Sequence, residues 1–333
     1  MNLILSADNN YAPFLGIAIF SILESNRNSE KNRYEDQIVF YVMDMDISVQ
    51  NKKLIDEIVN KYNAKITYLN TKIIHSILEK SVKASVRSLA TYYRLYLPTL
   101  LPLTVEKAIY LDCDSFINQS LRELWNIDIE GYDIAGVLDV ISIDKKLNVG
   151  LSAADPYFNA GMLVINLKQW REKNLEEKMI NFINHYEGKV SYHDQGTING
   201  VCLEKKVLHP KFNAMTPIFV LNRKRILDYH NLKDYYNDKL LQEAKDNPVF
   251  CHLTPYLTDR PWVKGNYHPL KKLYRKFQKQ TPWAHVEFTQ PSKTLEPWVK
   301  ELFHFLPYFL FVNTLRTLQS FRPKTWLRKL TNS

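Results

Sequence analysis

Two carboxylates one residue apart, Asp112 and Asp114, directly follow the apolar run 108–111. The run predicts a buried strand, and ligands of open α/β sheets gather at the carboxyl ends of strands. Such a pair can chelate a hard divalent cation, which can bridge the oxygens of a diphosphate. A solvated turn is the alternative. Spacing alone leaves both open, because Asp44 and Asp46 repeat the pattern ahead of a helix, where capping is the simpler interpretation.

Three other segments carry side chains suited to binding. His252 follows an apolar run and is either a metal ligand or an ordinary structural histidine. Residues 193–195 (HDQ) place two hydrogen-bonding side chains at a predicted helix start, where Asp194 could instead cap the helix. Residues 157–161 (YFNAG) place Asn159 beside small residues at the start of a predicted strand, which suits close approach of a ligand or simply a turn.

The glycine and cysteine positions exclude several kinds of site. The chain has 9 glycines and no G-x-G pair, so it contains neither a dinucleotide fingerprint nor a phosphate-binding Walker loop. Its three cysteines are far apart, which excludes a disulfide scaffold and a CxxC zinc site and favours a reducing compartment. The N-terminus shows no signal peptide, and the longest apolar runs are too short to span a bilayer. We therefore expect an intracellular protein.

The positive charge is concentrated near the C-terminus. The net charge is +9, but residues 260–333 contain 14 Lys and Arg against 3 Asp and Glu, which leaves residues 1–259 close to neutral. A near-neutral body argues against a nucleic-acid-binding core. A basic, aromatic tail favours an anionic surface, either a membrane or a nucleic acid.

Short apolar runs alternate with amphipathic stretches over the first 210 residues, which predicts an α/β fold. The predicted strands cover residues 2–6, 38–43, 65–69, 108–111, 134–138 and 162–167. The predicted helices cover residues 13–24, a stretch capped by Ser48, 89–97 ending at Pro98, 176–186 and 193–201. The pattern weakens after residue 211. We predict a main domain over 1–285 and a mostly helical, basic and aromatic appendage over 286–333.

Six segments in this order resemble glycosyltransferase family 8, and the bacterial lipooligosaccharide galactosyl- and glucosyltransferases most of all. The segments are 4–11 (ILSADNNY), 90–95 (ATYYRL), 108–114 (AIYLDCD), 157–161 (YFNAG) with 165–167 (INL), 193–195 (HDQ), and His252 followed by 260–262 (RPW). The resemblance covers about residues 1–265. It implies a GT-A type, Rossmann-like nucleotide-sugar-binding domain without the glycine fingerprint.

The resemblance also implies roles for individual residues. The manganese (or magnesium) ligands would be Asp112, Asp114 and His252. Residues implied to bind the donor are Asp8 and Asn10 at the uridine, Arg94, Asn159 and Asp194 at the sugar, and Arg260 or Lys264 at the diphosphate. Ser6 and Ala160 are also implied to bind the substrate. Gln195 would face the anomeric carbon, and Asp139 would line the sugar and acceptor site. Asp139, Asp194 and Gln195 are thus the implied catalytic residues.

Two departures from the family pattern limit this transfer. The family's glycine after the metal histidine is Pro255 here, and the stretch up to Trp262 is longer, so the diphosphate contact is ambiguous between Arg260 and Lys264. Gly196 also stands where relatives often carry a carboxylate.

The expected function is metal-dependent, retaining transfer of galactose or glucose from a UDP-sugar to a saccharide or glycolipid acceptor, such as lipooligosaccharide or lipopolysaccharide. A glycoprotein or another glycan is the alternative acceptor. Gln195 is an amide, which disfavours a covalent intermediate without excluding one on Asp194. Two other classes are a metal-dependent phosphohydrolase, which would not need the 159 and 194–195 segments, and a non-enzymatic membrane- or nucleic-acid-binding module.

The C-terminal segment suggests a location for the enzyme. Residues 293–333 interleave 7 Lys and Arg with many aromatic side chains, a composition suited to the headgroup region of an anionic bilayer. We expect a cytoplasmic protein held peripherally on the inner face of the cell membrane. The alternative is that these aromatics pack on the catalytic domain. Nucleic-acid binding is disfavoured because the aromatics cluster instead of spacing out as stacking platforms.

Overall fold

The computed structural model describes residues 1–27, 37–82, 89–286, 297–308, 310, 311 and 314, and these form ten strands. The strands are β1 (Asn2–Asp8), β2 (Val39–Met45), β3 (Lys65–Asn70), β4 (Lys107–Leu111), β5 (Ser115–Ile117), β6 (Ile134–Leu138), β7 (Phe158–Asn166), β8 (Lys205–Val207), β9 (Ala214–Met215) and β10 (Phe250–His252).

Helices alternate with the strands along the chain. They are α1 (Ala12–Ser25), α2 (Val49–Lys61), α3 (Lys72–Ser81), α4 (Leu97–Leu100), α5 (Arg122–Trp125), α6 (Ile143–Leu147), α7 (Leu167–Glu172), α8 (Leu175–His185), α9 (His193–Val201), α10 (Thr216–Val220), α11 (Arg223–His230), α12 (Asp238–Asp246), α13 (Lys271–Gln278) and α14 (Pro297–Phe305), with 3₁₀ helices at Leu89–Tyr96 and Pro210–Asn213.

Seven strands form the main sheet, in the order β3-β2-β1-β4-β7-β6-β8. β1 lies parallel to β2 and β4, whereas β7 runs antiparallel to both of its neighbours, β4 and β6. Leu3, Ile4 and Leu5 are all fully buried, as expected of a strand covered on both faces. The predicted α/β class is confirmed.

Two predicted elements have different bounds in the structure. Residues 89–96 form a 3₁₀ helix, and Pro98 lies in the first turn of α4 instead of ending a helix. Proline is tolerated there because first-turn N–H groups have no partner within the helix. β7 begins at Phe158, so Asn159 lies inside a strand and not at its start. The extra residues are recruited by β6, where Leu138 pairs with Phe158 across a bulge.

The antiparallel direction of β7 brings polar residues to the carboxyl end of β4. Leu111 at the end of β4 pairs with Met162, and the next N–H, that of Asp112, donates to the carbonyl of Gly161 (2.8 Å). β6 ends at the same edge, where the N–H of Asp139 donates to the carbonyl of Tyr157 (2.9 Å). Segments distant in sequence therefore meet at one sheet edge.

A small second sheet supplies a histidine to this edge. β10 runs antiparallel to β5, with His252 opposite Ser115, the residue that follows Asp114. Short pairing of this kind fixes register firmly when the strands are buried, and β5 and β10 are buried throughout. His252 is thus placed beside Asp114 by backbone pairing.

The chain divides into two compact units, residues 1–214 with 221–252 and residues 215–220 with 253–333. The predicted start of an appendage at residue 286 adjoins the segment 287–296, which lies outside the described residues, and it stays a prediction. In the second unit, Lys300 of α14 forms an ion pair with Asp259 (2.5 Å), and Tyr267 stacks on His304 (ring centroids 3.8 Å apart).

No helix among the described residues is both long and apolar enough to cross a membrane. Most of the predicted membrane-binding segment, including residues 315–333, lies outside the described part of the chain.

Candidate active site

Asp112, Asp114 and His252 form the tightest cluster of possible metal ligands among the described residues. One ligand atom from each lies within 4.8 Å of the other two. His252 Nε2 is 3.3 Å from Asp114 Oδ1 and 3.8 Å from Asp112 Oδ2. The exposed fraction of the side chain falls from 28% for Asp112 to 13% for Asp114 and 4% for His252, so the cluster opens to solvent on one side.

This donor set fits a divalent cation such as manganese. Carboxylate oxygens suit hard cations, and an imidazole nitrogen adds affinity for first-row transition metals. Three protein ligands on one side of an ion leave coordination positions for substrate oxygens. The second D-x-D pair is built differently: Asp44 accepts from the N–H of Ile47 and pairs with Lys52, while Ser48 caps α2.

Gly161 gives His252 the room to occupy this position. A Cβ added at Gly161 would lie 2.1 Å from Cε1 of the His252 ring. The imidazole therefore packs directly on the backbone of β7. Any larger residue at 161 would displace the ring from the carboxylates, so glycine is needed here for close approach.

Asp112 is oriented by two neighbouring side chains. The hydroxyl of Tyr110 donates to Asp112 Oδ1 (2.9 Å), and Arg94 Nη2 donates to the same oxygen (3.1 Å). The Arg94 guanidinium also lies over the Tyr110 ring, 4.1 Å from its centroid. These contacts leave Asp112 Oδ2 on the side of His252. The first carboxylate is thus held in one orientation before any ligand arrives.

Arg94 connects this cluster to a second group of polar side chains. Its Nε pairs with Asp194 Oδ2 (2.9 Å), and its Nη1 donates to the carbonyl of Ala160 (2.9 Å). Burial acts to lower the pKa of Arg94, but Asp194, Tyr110 and Asp112 outweigh it and raise that pKa. Burial raises the pKa of Asp194, with Arg94 opposing the shift. Asp194 does not cap α9, because the cap residue is Tyr192.

The second group consists of Gln195, Asp139 and Asn159. Gln195 Oε1 accepts from the N–H of Ala160 (3.0 Å), and Gln195 Nε2 donates to Asp139 Oδ2 (2.9 Å). Asn159 Nδ2 also donates to Asp139 Oδ2 (3.3 Å). Burial raises the pKa of Asp139, and the bonds from Asn159 and Gln195 oppose that shift. The amide of Gln195 is therefore fixed at both ends.

A cavity of about 440 Å³ opens beside the carboxylates. Its lining includes Ser6, Asp8, Arg94, Asp112 and Asp114, which the family resemblance implies at the donor and metal sites, together with Tyr11, Met43 and Met45. Asp8 Oδ1 also accepts from the N–H of Tyr11 (2.9 Å), which shapes the turn into α1. Asn10 is exposed on that turn and does not line the described cavity.

The two candidate diphosphate contacts lie in the second unit. Arg260 Nε donates to the carbonyl of Leu253 (3.2 Å), and its guanidinium lies 5.5 Å from the centroid of the Trp262 ring. Lys264 is exposed. The choice between them stays a prediction.

Two residues near the site were not singled out from the sequence. Tyr110 lies in the apolar run before Asp112, and it reads there as a core aromatic. Asn213, which contacts His252, ends a 3₁₀ helix in a stretch without a clear pattern. The alternation of side chains along β4 places Tyr110 and Asp112 on one face and was the one available signal. Nothing in the local sequence identifies Asn213.

Comparisons with known proteins agree with this arrangement. Residues 2–264 match the glycosyl transferase family 8. A putative glycosyltransferase of Haemophilus influenzae is 40% identical over 234 residues, which is 68% of this chain and 67% of that protein. A lipopolysaccharide 1,2-glucosyltransferase of Escherichia coli is 26% identical over 296 residues, or 87% of this chain and 81% of that protein.

A solved structure shows the same fold. The galactosyltransferase LgtC, crystallised with donor and acceptor sugar analogs, superimposes with a TM-score of 0.67 at 22% sequence identity, over 85% of this chain and 96% of that one. The predicted GT-A type fold is thereby confirmed. Because the match to the family extends over most of the chain, including every strand of the main sheet, the protein belongs to glycosyl transferase family 8 and is a retaining hexosyltransferase.

Proposed function

We propose that this enzyme transfers glucose or galactose from a UDP-sugar to a saccharide of a cell-surface glycan, such as lipooligosaccharide or lipopolysaccharide, and that it needs a divalent cation, manganese or magnesium. The observation that carries the proposal is the meeting of two groups at one sheet edge. Asp112, Asp114 and His252 would hold the cation, and Asp194, Gln195 and Asn159 lie next to them through Arg94. A diphosphate bound to the cation would then lie beside the sugar.

The residues of the first group have a defined task in this reaction. A bound divalent cation supplies neutralisation of the charge that develops on the departing diphosphate. Asp112, Asp114 and His252 provide a preformed set of ligands, so little reorganisation is needed when the donor binds. Arg94 pairs with both Asp112 and Asp194, and it holds the two carboxylates in fixed positions relative to Ala160. Arg260 or Lys264 would add positive charge at the diphosphate.

The second group positions the sugar. As UDP departs, the anomeric carbon gains positive charge, and nearby oxygens of Asp194, Asp139 and Gln195 stabilise it. Gln195 is an amide whose Oε1 is engaged by the N–H of Ala160, so it orients the sugar better than it attacks it. With this arrangement the acceptor hydroxyl attacks from the face that UDP leaves, which retains the configuration. Asp8 and Asn10 would hold the uridine, with Ser6 as a further substrate-binding residue.

The choice of donor and acceptor rests on relatives. The similar Escherichia coli protein is named for transfer of glucose to lipopolysaccharide, and LgtC is named for transfer of galactose. Both names point to a hexose donor and a saccharide acceptor. We assign the same classes to this chain, with lipopolysaccharide-type glycans as the acceptor.

We further propose that the enzyme works on the cytoplasmic face of the cell membrane, held there by its basic and aromatic C-terminal segment. Residues 293–333 carry 7 Lys and Arg against 2 Asp and Glu, and each basic residue near an anionic surface contributes about 1 kcal/mol to binding. A glycolipid acceptor would lie in the same surface.

The metal site predicts a sharp difference between the two D-x-D pairs. With Mn²⁺ present, wild-type protein should release UDP from UDP-glucose or UDP-galactose and add one hexose to an acceptor, as followed by mass spectrometry. Asp114→Asn should reduce this transfer by about 100-fold or more, because a charged ligand is lost. Asp46→Asn is the matched control, since Asp46 is 79% exposed and pairs with Lys72. Full wild-type transfer after exhaustive chelation would contradict the metal dependence.

Asp194 and Gln195, which we propose lie beside the sugar, should respond unequally to substitution. Gln195→Ala should slow transfer but keep the product in the α configuration, because the amide only orients the sugar. Asp194→Asn should slow transfer more, since it removes the carboxylate that pairs with Arg94 and so also loosens Asp112. The exposed Gln242→Ala on α12 serves as the control. A β-configured product from an α-linked donor, observed by NMR, would overturn this assignment.

The C-terminal segment predicts salt-sensitive binding to anionic vesicles. The full chain should sediment with vesicles containing phosphatidylglycerol and dissociate in high salt, because screening weakens the attraction. Charge reversal at Arg322, Lys324, Arg328 and Lys329 should abolish this binding and preserve transfer to a water-soluble acceptor. The control is charge reversal at four exposed helix residues, Lys53, Lys61, Lys80 and Lys178. If the two variants bind vesicles equally, the segment is not the membrane anchor.

A further inference from the structure

The buried side-chain amide of Asn213 connects His252 of the candidate metal site to Asn159 of the second group of polar side chains. Asn213 is fully buried. Its Oδ1 lies 3.1 Å from His252 Nδ1, and its Nδ2 lies 3.0 Å from Asn159 Oδ1. Asn159 in turn donates to Asp139. A continuous chain of hydrogen bonds thus joins His252, through Asn213, to the residues around Gln195.

The direction of every bond in this chain follows from one backbone group. The N–H of Gly161 donates to Asn159 Oδ1 (3.1 Å), and a backbone N–H can only donate, so the atom that it meets is the amide oxygen. The Asn213 atom that faces this oxygen must then be a donor, which is the amide nitrogen. The other end of the Asn213 amide is therefore its oxygen, and that oxygen faces His252.

An amide oxygen can only accept, so the nitrogen of His252 that faces Asn213 must carry a proton. A neutral imidazole has one N–H, and the second nitrogen then presents a lone pair. In His252 that second nitrogen is Nε2, the atom that lies 3.3 Å from Asp114 Oδ1 and 3.8 Å from Asp112 Oδ2. In its neutral form the ring then presents a lone pair to the position where the carboxylate oxygens converge.

We propose that Asn213 is a positioning residue that holds His252 in its Nδ1–H tautomer with Nε2 available as a metal ligand. The proposal rests on the metal site of the proposed function. Gly161 assists by letting the ring pack closely against β7, where an added Cβ would lie 2.7 Å from His252 Nδ1. The amide oxygen of Asn213 accepts from Nδ1–H and has no proton to donate to that nitrogen, so the contact fixes which nitrogen of His252 carries the proton.

The tautomer can be measured without metal, donor or activity. Metal-free full-length protein labelled with ¹⁵N-histidine should show the Nδ1–H pattern for His252 in two-bond ¹H–¹⁵N spectra at pH 8, with its signals assigned from their loss in His252→Gln. In Asn213→Leu the His252 signals should shift toward a mixture of both tautomers. An Nε2–H tautomer in the wild type would overturn the proposal, whether or not the enzyme needs a metal.

Measurements of Mn²⁺ affinity distinguish the role of the Asn213 amide oxygen from that of its nitrogen. Asn213→Leu should weaken Mn²⁺ binding, measured by electron paramagnetic resonance, by about 10- to 100-fold, the usual cost of losing such a supporting group. Asn213→Asp keeps an acceptor for His252 but loses the donor to Asn159. It should therefore retain the Nδ1–H tautomer and most of the Mn²⁺ affinity, while kcat falls.

Asn199→Leu controls for the loss of a buried amide, since Asn199 is 1% exposed and its side chain bonds to the backbone of Phe158 and to the carbonyl of Gln195 instead of to His252. It should leave the tautomer and the Mn²⁺ affinity as in the wild type.

Equal loss of Mn²⁺ affinity in Asn213→Asp and Asn213→Leu would show that packing matters and the bond to His252 does not, and it would overturn the proposal. If Asn213→Leu does not fold, the wild-type and Asn213→Asp spectra still decide. A wild type that binds no Mn²⁺ would refute the metal site of the proposed function, and the tautomer would remain a separate result.

Discussion

The arrangement of this site depends on the guanidinium of Arg94. Burial and the nearby Asp112 raise the pKa of Asp194, and Arg94, which opposes that shift, bonds to Asp112 (3.1 Å) and to Asp194 (2.9 Å). Removing one partner from a buried ionic group leaves an uncompensated charge, which costs about 3–5 kcal/mol. Loss of Arg94 would therefore affect the metal side and the sugar side together. The guanidinium is itself fixed by the Ala160 carbonyl and the Tyr110 ring.

Sheet topology explains how so many polar groups reach one place. Parallel strands bring only their carboxyl ends to the binding edge, and this edge holds Asp8 and Asp112. Reversal of β7 adds the start of a strand, whose N–H groups at Ala160 and Gly161 are directed to the side chains of Gln195 and Asn159. Side-chain amides that are oriented by backbone groups need no further reorganisation on binding. Small residues at 160 and 161 make this approach possible.

Much of the fold could be predicted from sequence, because its signals are local. The strands begin or end within a few residues of the predicted bounds, and β6 and α9 match them fully. Asp112 and Asp114 were found from their place after an apolar run. The local sequence left His252 as either a metal ligand or a structural histidine, and only the resemblance to the family favoured the metal ligand. The local sequence could not decide, because His252 reaches Asp114 through pairing between β5 and β10, which are over 130 residues apart.

The features that sequence did not reveal arise from long-range packing. Asn213 is 39 residues from His252 and 54 from Asn159, so no local pattern records their contacts. β7 starts earlier than predicted because β6 supplies partners for Phe158, which is a tertiary effect. The 3₁₀ conformation of residues 89–96 was likewise absent from the helical pattern. Secondary-structure propensity is a local property, so it predicts little about side chains that bond to groups distant in the sequence.

We propose that Asp112, Asp114 and His252 bind a divalent cation that contacts the diphosphate of a UDP-sugar. The most direct measurement is a crystal structure of the full chain grown with Mn²⁺ and UDP, with diffraction data collected near the manganese absorption edge. We expect an anomalous peak within coordination distance of Asp112, Asp114 and His252 Nε2, next to the diphosphate of UDP. UDP bound in the cavity without an anomalous peak there, or a peak at other residues, would contradict it.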